Sequence, residues 1–273
     1  IDVDRNYVFF NPKAAVTYRM NPNQQLYFSV ARAHKEPNRT DFENGNPLPE
    51  ELTDFELGWR YNQSSIQFVA NAYFMDYTNQ LILTGAIDEV GAPIRTNSGS
   101  SYRLGVELDL NWAISDQWQW QANLSLSENK NRDFFFERDA KLQSLGNTNL
   151  SFSPNVVGAS QLHYKPTDKL SIGLFSKYVG EQFLGNIDSP LSKLEAYSTQ
   201  DINIQYKMTP NWCESLQLQL LLNNILDKKY VSNGYFYTYN DDWSNPGSIT
   251  TIEGVGYYPQ AGFHFLTGMT ISF

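Results

Sequence analysis

Five aromatic residues near the C-terminus are the side chains best suited to noncovalent recognition. They are Tyr235, Phe236, Tyr237, Tyr239 and Trp243. Exposed rings at this density indicate either a binding surface or a loop that packs on itself. Rings stack on flat, partly apolar groups such as a metal chelate, and they also cover the faces of sugars. The segment is therefore a candidate for ligand contact, with packing of the loop on itself as the alternative.

Two other segments hold weaker candidates of the same kind. His34 and Arg39 belong to a long polar stretch, 34–49, between two apolar-patterned segments. Phe134, Phe135 and Phe136 lie in a second long connection, 130–150. Because binding residues concentrate on the loops of a rigid scaffold, both stretches are weaker candidates for ligand contact.

Covalent and metal chemistry find little support in the sequence. The three histidines, His34, His163 and His264, are far apart, and each is more often a polar loop or interior residue than a ligand. Neither an H-E-x-x-H nor a G-x-S-x-G motif occurs. Cys213 is the single cysteine, so the chain forms no internal disulfide. We predict no catalytic residue, no metal site, no cofactor and hence no enzymatic activity.

The segment from Tyr102 to Ile114 shows which elements position these residues. Its even positions are all apolar, whereas its odd positions include Arg103, Glu107 and Asp109. A period of two over this length predicts a β-strand with one apolar and one polar face. At about 3.3 Å per residue and a tilt near 40°, the strand rises roughly 30 Å, enough to cross a bilayer.

Charged residues on the polar faces indicate which side of the strands is wet. Arg60, Arg103, Glu107 and Asp109 all alternate with apolar neighbours. An Arg or Lys facing lipid at the bilayer midplane costs roughly 2–4 kcal/mol. We therefore place these side chains in the interior of a barrel, where mutual charge pairing is the expected role and ligand contact the minor one.

Composition agrees with a strand-built membrane protein. Aromatic residues make up 15% of the 273 residues, yet the mean hydropathy is −0.46. No run of eighteen apolar residues exists, which excludes transmembrane helices. A transmembrane barrel combines low hydropathy with strong alternation, because only every second residue meets lipid. The net charge of −9 argues against a nucleic-acid partner.

Connections between the predicted strands alternate between short turns and long loops. Brief turns are predicted near Asn21, Asn62, Ser115, Asp168 and Thr209, and long connections follow every second strand. This asymmetry is typical of outer-membrane barrels. We predict an all-β fold, a transmembrane antiparallel β-barrel with about eleven strands over residues 1–273. Since bacterial barrels have even strand counts, we also expect earlier strands to precede this segment.

Three segments resemble TonB-dependent outer-membrane receptors of the Bacteroidetes type, specifically the C-terminal half of their barrel. Residues 223–230, NNILDKKY, resemble the segment that leads into the last large extracellular loop. Residues 257–273 resemble the closing strand, with a Tyr-Pro step and a terminal Phe. Residues 31–41 resemble a segment at the top of a mid-barrel strand.

The resemblance implies a 22-stranded barrel with an N-terminal plug, energised through TonB in the bacterial outer membrane, and we expect the plug and the earlier strands to lie outside this chain. Implied partners are outer-membrane lipid and lipopolysaccharide, a small-molecule ligand and, in some members, a surface lipoprotein. The ligand would be an iron–siderophore complex, haem or cobalamin. The terminal Phe273 resembles the assembly signal of this family, and its alternative role is packing at the membrane rim.

Three other functions stay open at this point. A SusC-like importer of glycans or peptides is the rival within the family, although the Tyr258-Pro259-Gln260 ending weighs against it. A passive porin would lack both plug and energy input. A soluble all-β carbohydrate-binding or adhesive domain would bury the apolar strand faces, including Leu104 and Leu124, in a dry core.

Overall fold

The computed structural model describes residues 4–87 and 93–273. It is almost entirely β-structure, with one short α-helix and one 3₁₀ helix, Pro190–Ser192. In the described part of the chain, no helix is long and apolar enough to cross a membrane. The elements, in chain order, are β1 Lys13–Asn21, β2 Gln24–Lys35, α1 Arg39–Glu43, β3 Glu50–Gln63, β4 Ile66–Thr78, β5 Leu81–Ile87, β6 Pro93–Asn97, β7 Ser100–Ala113, β8 Trp118–Arg138, β9 Lys141–Asn149, β10 Val156–Thr167, β11 Leu170–Val179, β12 Gln182–Phe183, β13 Lys193–Leu194, β14 Tyr197–Met208, β15 Ser215–Asn223, β16 Val231–Asp241, β17 Thr250–Pro259 and β18 His264–Ser272.

Eleven strands form one antiparallel sheet, and each pairs with the next main strand along the chain. The order is β1-β2-β3-β4-β7-β8-β10-β11-β14-β15-β18, with β9 added to the far end of β8. The sheet is a partial barrel whose open edges are β1 and β18. The prediction of about eleven antiparallel strands is therefore confirmed.

Short and long connections alternate along the whole sheet. Two-residue turns join β1 to β2, β3 to β4 and β10 to β11, and slightly longer ones join β7 to β8 and β14 to β15. The other connections carry structure of their own: α1, the β5–β6 hairpin, the β8–β9 extension, the β12–β13 pair and the β16–β17 hairpin. All of these extras lie at one end of the sheet, and we call them the cap.

The outer face of the sheet has no protein core against it. Leu104 is 47% exposed, and Val106, Leu126 and Leu218 are also exposed. Leu124, on the same face, is half-buried between its strand neighbours. A soluble sandwich would bury such a row, so the apolar face is solvated by lipid, as the strand pattern predicts.

Polar and aromatic residues mark the two boundaries of this apolar band. At the turn end, Trp112 lies against Trp120, and Trp118 stacks on Tyr164 at 4.2 Å. At the cap end of the same face, Arg132 forms an ion pair with Asp76 at 2.6 Å, and Arg32 pairs with Glu51. The apolar stretch of β7 between these levels rises about 25 Å at a tilt near 40°, the height of the apolar band of outer-membrane barrels.

The opposite face of the sheet is concave and polar. It holds a depression of about 540 Å³ that crosses β4, β7, β8, β10, β11 and β14. Its lining includes the inward-facing polar side chains Gln67, Asp109, Gln121, Gln161 and Asp201. The polar face is therefore the barrel interior.

The buried apolar side chains lie in the cap and in the strand ends that enter it. Ile82, Phe134 and Leu150 form one small core, against which Phe136 and Leu145 pack. Among the residues that the structure describes, the other buried apolar side chains are Leu81, Val179, Leu184, Leu194 and Tyr197.

Candidate ligand-binding surface

The β16–β17 hairpin sorts the aromatic candidates by strand alternation. Tyr235, Tyr237 and Tyr239 share one face, with ring centroids 6.2 and 6.4 Å apart and interplanar angles of 19° and 16°. Trp243 continues the row, 5.8 Å from Tyr239 and only 6° from parallel. Tyr258 of β17 lies 6.0 Å from Tyr235 at the other end. We call these five side chains the aromatic face.

Glycines on β17 make room for two of these rings. Tyr235 pairs with Gly256 across the hairpin and Tyr237 pairs with Gly254. A Cβ at either glycine would come within 2.3 Å of the paired tyrosine ring. Since real Cβ atoms do not approach so closely, only glycine lets the rings lie across the neighbouring strand. The result is a flat aromatic surface of which Tyr235, Tyr239, Trp243 and Tyr258 are largely exposed.

A carboxylate-centred turn holds Trp243 in the row. One oxygen of Asp241 accepts hydrogen bonds from the backbone N–H groups of Trp243 and Ser244, at 3.2 and 3.0 Å. The bond from Ser244, together with that from Trp243, lowers the pKa of the Asp241 carboxyl from its usual value. The ionised form of Asp241 therefore stabilises the turn.

Phe236 does not belong to the aromatic face. Alternation turns it to the other side of β16, where its ring packs over Gly185 so closely that a Cβ there would come within 2.5 Å of the ring. Thr238, on the same side, is buried beside Gly85. Four of the five aromatic candidates, Tyr235, Tyr237, Tyr239 and Trp243, therefore belong to the aromatic face, whereas Phe236 packs on the opposite side of the hairpin.

Polar contacts join the hairpin to its neighbours in the cap. Glu253 of β17 accepts from Arg138 of β8 and from the hydroxyl of Ser189. Asp139 and Thr251 exchange two hydrogen bonds, at 2.8 and 2.7 Å. These partners are more than sixty residues apart in sequence, and no local pattern signals them.

A cleft of about 550 Å³ separates the β5–β6 hairpin, the β8–β9 extension and β16. Tyr239 lines one side of it, and Phe134, Phe135 and Phe136 line another. The structure therefore brings together two aromatic segments that the sequence shows only as separate clusters. Phe135 is 55% exposed and available to a ligand, whereas Phe134 belongs to the small cap core.

The resemblance segment 223–230 forms the base of this hairpin. Asn224 is buried and hydrogen-bonds to both chain segments that lead into and out of the hairpin. Asp227 accepts from the Lys229 ammonium and the backbone N–H of Phe263, both at 2.8 Å. The hydrogen bond from Lys229, and to a smaller extent that from Phe263, lowers the pKa of the Asp227 carboxyl from its usual value.

The two weaker polar candidates lie away from the aromatic face. Arg39 begins α1 and pairs with Glu43 one turn later, at 2.8 Å. His34 contacts Asn11 at 2.8 Å and stacks on Phe9 at 5.0 Å. His34 shares its strand face with the outward side chains of β2, so it does not point into the interior. Neither residue lines the cleft.

The charged interior residues differ from the expected mutual pairing. Arg60 lies 4.8 Å from the centre of the Tyr27 ring, and Arg103 lies 5.6 Å from that of Tyr77. Within residues 4–87 and 93–273, neither arginine forms an ion pair with Glu107 or Asp109. The strand register explains why Arg60 does not reach Asp109. Val69 pairs with both residues and lies between them, so Arg60 and Asp109 are two strand spacings, or about 10 Å, apart.

Two further sequence predictions concern the metal site and the C-terminus. In the described ranges, no group of three or more His, Cys, Asp or Glu side chains is placed to hold a metal ion. Phe273 follows β18 and is largely exposed. Its role as an assembly signal stays a prediction.

A family model described as TonB dependent receptor-like, beta-barrel, matches residues 1–225. The chain belongs to the TonB-dependent receptor family. It is accordingly part of an outer-membrane β-barrel, as the alternation and loop asymmetry predict. The comparison does not address the Bacteroidetes-type subgroup, which stays a prediction.

Relatives of this receptor segment include several siderophore receptors. It is 23% identical over 264 residues to the probable TonB-dependent siderophore receptor PiuA of Acinetobacter baumannii, covering 91% of this chain and 34% of the relative. It is 22% identical over 256 residues to the catecholate siderophore receptor Fiu of Escherichia coli K12, covering 87% and 32%. The segment spans about a third of the length of these curated relatives.

Solved receptor structures share the fold of this segment. The siderophore receptor PiuA from Acinetobacter baumannii superposes with a TM-score of 0.67 at 19% identity, over 94% of this chain and 35% of that one. The ferric yersiniabactin uptake receptor FyuA from Yersinia pestis gives 0.66 at 17% identity, over 96% and 37%. The fold of this segment is therefore the fold of these receptors.

Proposed function

We propose that the receptor containing this segment imports an iron–siderophore complex across the outer membrane, with energy delivered through TonB. The single observation that carries the proposal is the aromatic face in a barrel of the TonB-dependent receptor family. Relatives named as siderophore receptors support the choice of ligand class. Catecholate rings and other flat chelating groups match a row of nearly parallel tyrosine and tryptophan rings.

Capture in this proposal needs no bond-making chemistry. The aromatic face and the cleft beside Tyr239 provide stacking surface, and exposed polar side chains along the cleft, such as Thr96 and Glu137, provide hydrogen bonds. Movement of a plug, driven by TonB, would then open a path along the polar interior face. The protein acts as a transporter rather than an enzyme.

The test uses the full-length receptor in a strain that lacks its own copy. Growth on single ferric siderophores as the iron source identifies the ligand, and binding of that siderophore to the purified receptor gives its affinity. We expect Tyr237→Ala and Tyr239→Ala each to weaken binding about 3- to 10-fold, the value of one aromatic contact.

Tyr178→Ala serves as the matched control for these variants. Tyr178 is a partly exposed tyrosine on β11, on the lipid-facing side of the sheet, and it belongs to no part of the aromatic face. It should leave affinity unchanged. Growth of the deletion strain on every ferric siderophore at the wild-type rate would contradict the proposed function.

Import of an oligosaccharide is the second candidate, and one observation favours it. The row of rings from Tyr235 to Trp243 is extended, with successive centroids 5.8 to 6.4 Å apart, and so offers several sugar-stacking positions in line. Competition separates the two candidates. The oligosaccharide candidate is rejected if the receptor binds a ferric siderophore in the micromolar range or tighter and millimolar oligosaccharide does not displace that siderophore.

A further inference from the structure

We infer that Asn224 and Asp227 are positioning residues for the aromatic face: they join the two chain segments at the base of the β16–β17 hairpin and so fix its placement over the barrel. The inference rests on the proposed function only in the identity of the ligand. The placement of the hairpin can be measured without any ligand.

Asn224 connects both legs of the hairpin through one side chain. Its Nδ2 donates to the carbonyl oxygens of Lys228, on the incoming leg, and Ala261, on the outgoing leg, at 2.9 and 3.2 Å. Its Oδ1 accepts from the Lys228 backbone N–H at 3.0 Å. A buried amide with all of these partners satisfied fixes the separation of the two legs.

The backbone of Asn224 ties the same point to the barrel. Its N–H donates to a carboxylate oxygen of Asp201 on β14, at 2.6 Å. The residue has a φ of +48°, in the left-handed region that asparagine tolerates better than most residues. The chain therefore turns sharply where β15 ends, and the side chain becomes free to reach across both legs.

Asp227 adds a second link a few residues further on. Its Oδ1 accepts from the backbone N–H of Phe263 on the outgoing leg, and its own N–H donates to the Asn224 carbonyl oxygen at 2.8 Å. Gly262 lies directly against it, and a Cβ there would come within 2.3 Å of the carboxylate. The two links and this close approach make the base a compact unit.

The base is separate from the ligand surface, which gives these residues a role of their own. Asn224 and Asp227 contribute no ring to the aromatic face and do not line the cleft beside Tyr239. Any effect of their loss on ligand binding must therefore act through the position of the hairpin. The resemblance segment 223–230 thus acquires a structural explanation from its own hydrogen bonds.

Hydrogen–deuterium exchange of the full-length receptor in detergent micelles tests this role without any ligand. Asn224→Gly removes the side chain and keeps the left-handed backbone unstrained. We expect amides of 231–259 to exchange about 5- to 30-fold faster, while β15 and β18 keep wild-type rates. Asp227→Gly removes the second link while also keeping a left-handed backbone unstrained, and it should give a smaller increase in the same residues.

Matched controls come from the same chain. Asn223→Ala changes the neighbouring asparagine, which forms no side-chain hydrogen bond within the described residues, and Asp168→Ala changes an exposed carboxylate in a turn at the opposite end of the sheet. Both should exchange like wild type. Unchanged exchange in Asn224→Gly, or equal acceleration in β15 and β18, overturns the inference.

Ligand binding provides the second readout. With the ferric siderophore identified by the growth test, Asn224→Gly should weaken binding at least as much as Tyr237→Ala, with unchanged barrel mobility on unheated gels. Weakened binding together with local acceleration supports the inference, and wild-type affinity overturns it. If the wild-type receptor binds no siderophore but the hairpin still loosens, the proposed function fails while the structural role of the base stands.

Discussion

The membrane sheet and the cap are built from the same chain, yet opposite solvents determine how each is stabilised. In the sheet, the apolar side chains are exposed on the outer face and the polar ones line the interior. In the cap, apolar side chains such as Phe134 and Leu150 are buried and polar groups bridge the hairpins, as in a soluble protein. An exposed apolar side chain therefore indicates contact with lipid in the sheet, whereas in the cap the apolar side chains are buried in protein.

Strand β8 shows the change within a single element. Its lower half alternates outward apolar residues such as Leu124 with inward polar ones such as Asn123. Its upper half places Phe134 in a protein core and leaves Phe135 exposed to water. The strand crosses from lipid to water, and irregularities of register between Asn131 and Phe135 interrupt its alternation where it enters the cap.

Removal of the Phe134 side chain should give the largest effect, and it should stay within the cap. Phe134→Ala leaves a cavity beside Ile82 and Leu150, which costs about 3–5 kcal/mol of the local opening free energy. Phe135→Ala, the control from the opposite face, should stay within about 0.5 kcal/mol of wild type. Amide exchange of β8, β9 and β5 measures both. Equal effects of the two variants would contradict a protein core in the cap.

An arginine on the outer face should affect the sheet and leave the cap intact. Leu124→Arg places a charge near the bilayer midplane and should lower the free energy of unfolding in lipid vesicles by about 2–4 kcal/mol. Asn123→Arg, one residue away and facing the interior, should change it by less than about 1 kcal/mol. Denaturant unfolding of vesicle-inserted receptor measures the difference. A larger loss for Asn123→Arg would reverse our assignment of the two faces.

The sheet could be predicted almost completely from the sequence because its two solvents act on every residue. Lipid on one side and water on the other impose a period of two, and strands such as 102–114 therefore appear directly in the residue pattern. The turns, the strand number and the direction of Arg103 and Glu107 follow from the same pattern. The tyrosine rings that lie beside Arg60 and Arg103 could not be predicted, since these contacts depend on the register of neighbouring strands.

The cap was predictable only as a set of long connections. Its hairpins depend on contacts such as Glu253 with Arg138, whose separation in sequence leaves no local signal. The aromatic cluster was visible, but its division into Tyr237 outward and Phe236 inward required knowing that the segment is a strand. For Asn224, the sequence offered only the resemblance, and the reason for it lies in hydrogen bonds to residues 228 and 261.

The ion pair that fastens α1 should have an intermediate effect confined to the cap. Arg95 of β6 donates two hydrogen bonds to the buried Asp41 carboxylate, at 3.0 and 2.9 Å. Arg95→Met leaves that carboxylate without its charged partner and should cost about 1–3 kcal/mol of local stability. Arg39→Met breaks only the exposed pair with Glu43 and should cost under about 1 kcal/mol. Amide exchange in α1 distinguishes the variants, and equal rates would show that burial of Asp41 is unimportant.

The smallest expected effect is a dependence of the Trp243 turn on pH, which the lipid-facing sheet should lack. Because hydrogen bonds from Ser244 and Trp243 lower the pKa of Asp241 in the folded state, its stabilising contribution is complete above the unfolded value of about 3.9. It is lost as the pH falls through the lower folded value. A 5-fluorotryptophan resonance, assigned through Trp243→Phe, should therefore stay constant from pH 7 to about pH 4 and shift only in more acidic solution.

Two neighbouring variants assign that pH dependence to a single carboxylate. Asp241→Asn keeps an oxygen acceptor without a titrating charge, so the Trp243 resonance should no longer change with acid. Asp242→Asn should leave the wild-type profile in place, since the Asp242 carboxylate accepts no hydrogen bond within the described residues. A resonance that shifts near pH 6, or that still titrates in Asp241→Asn, would place the responsible group elsewhere. The pH dependence of the cap would then come from a titrating residue other than Asp241, while the stability of the sheet would still depend on the lipid around it.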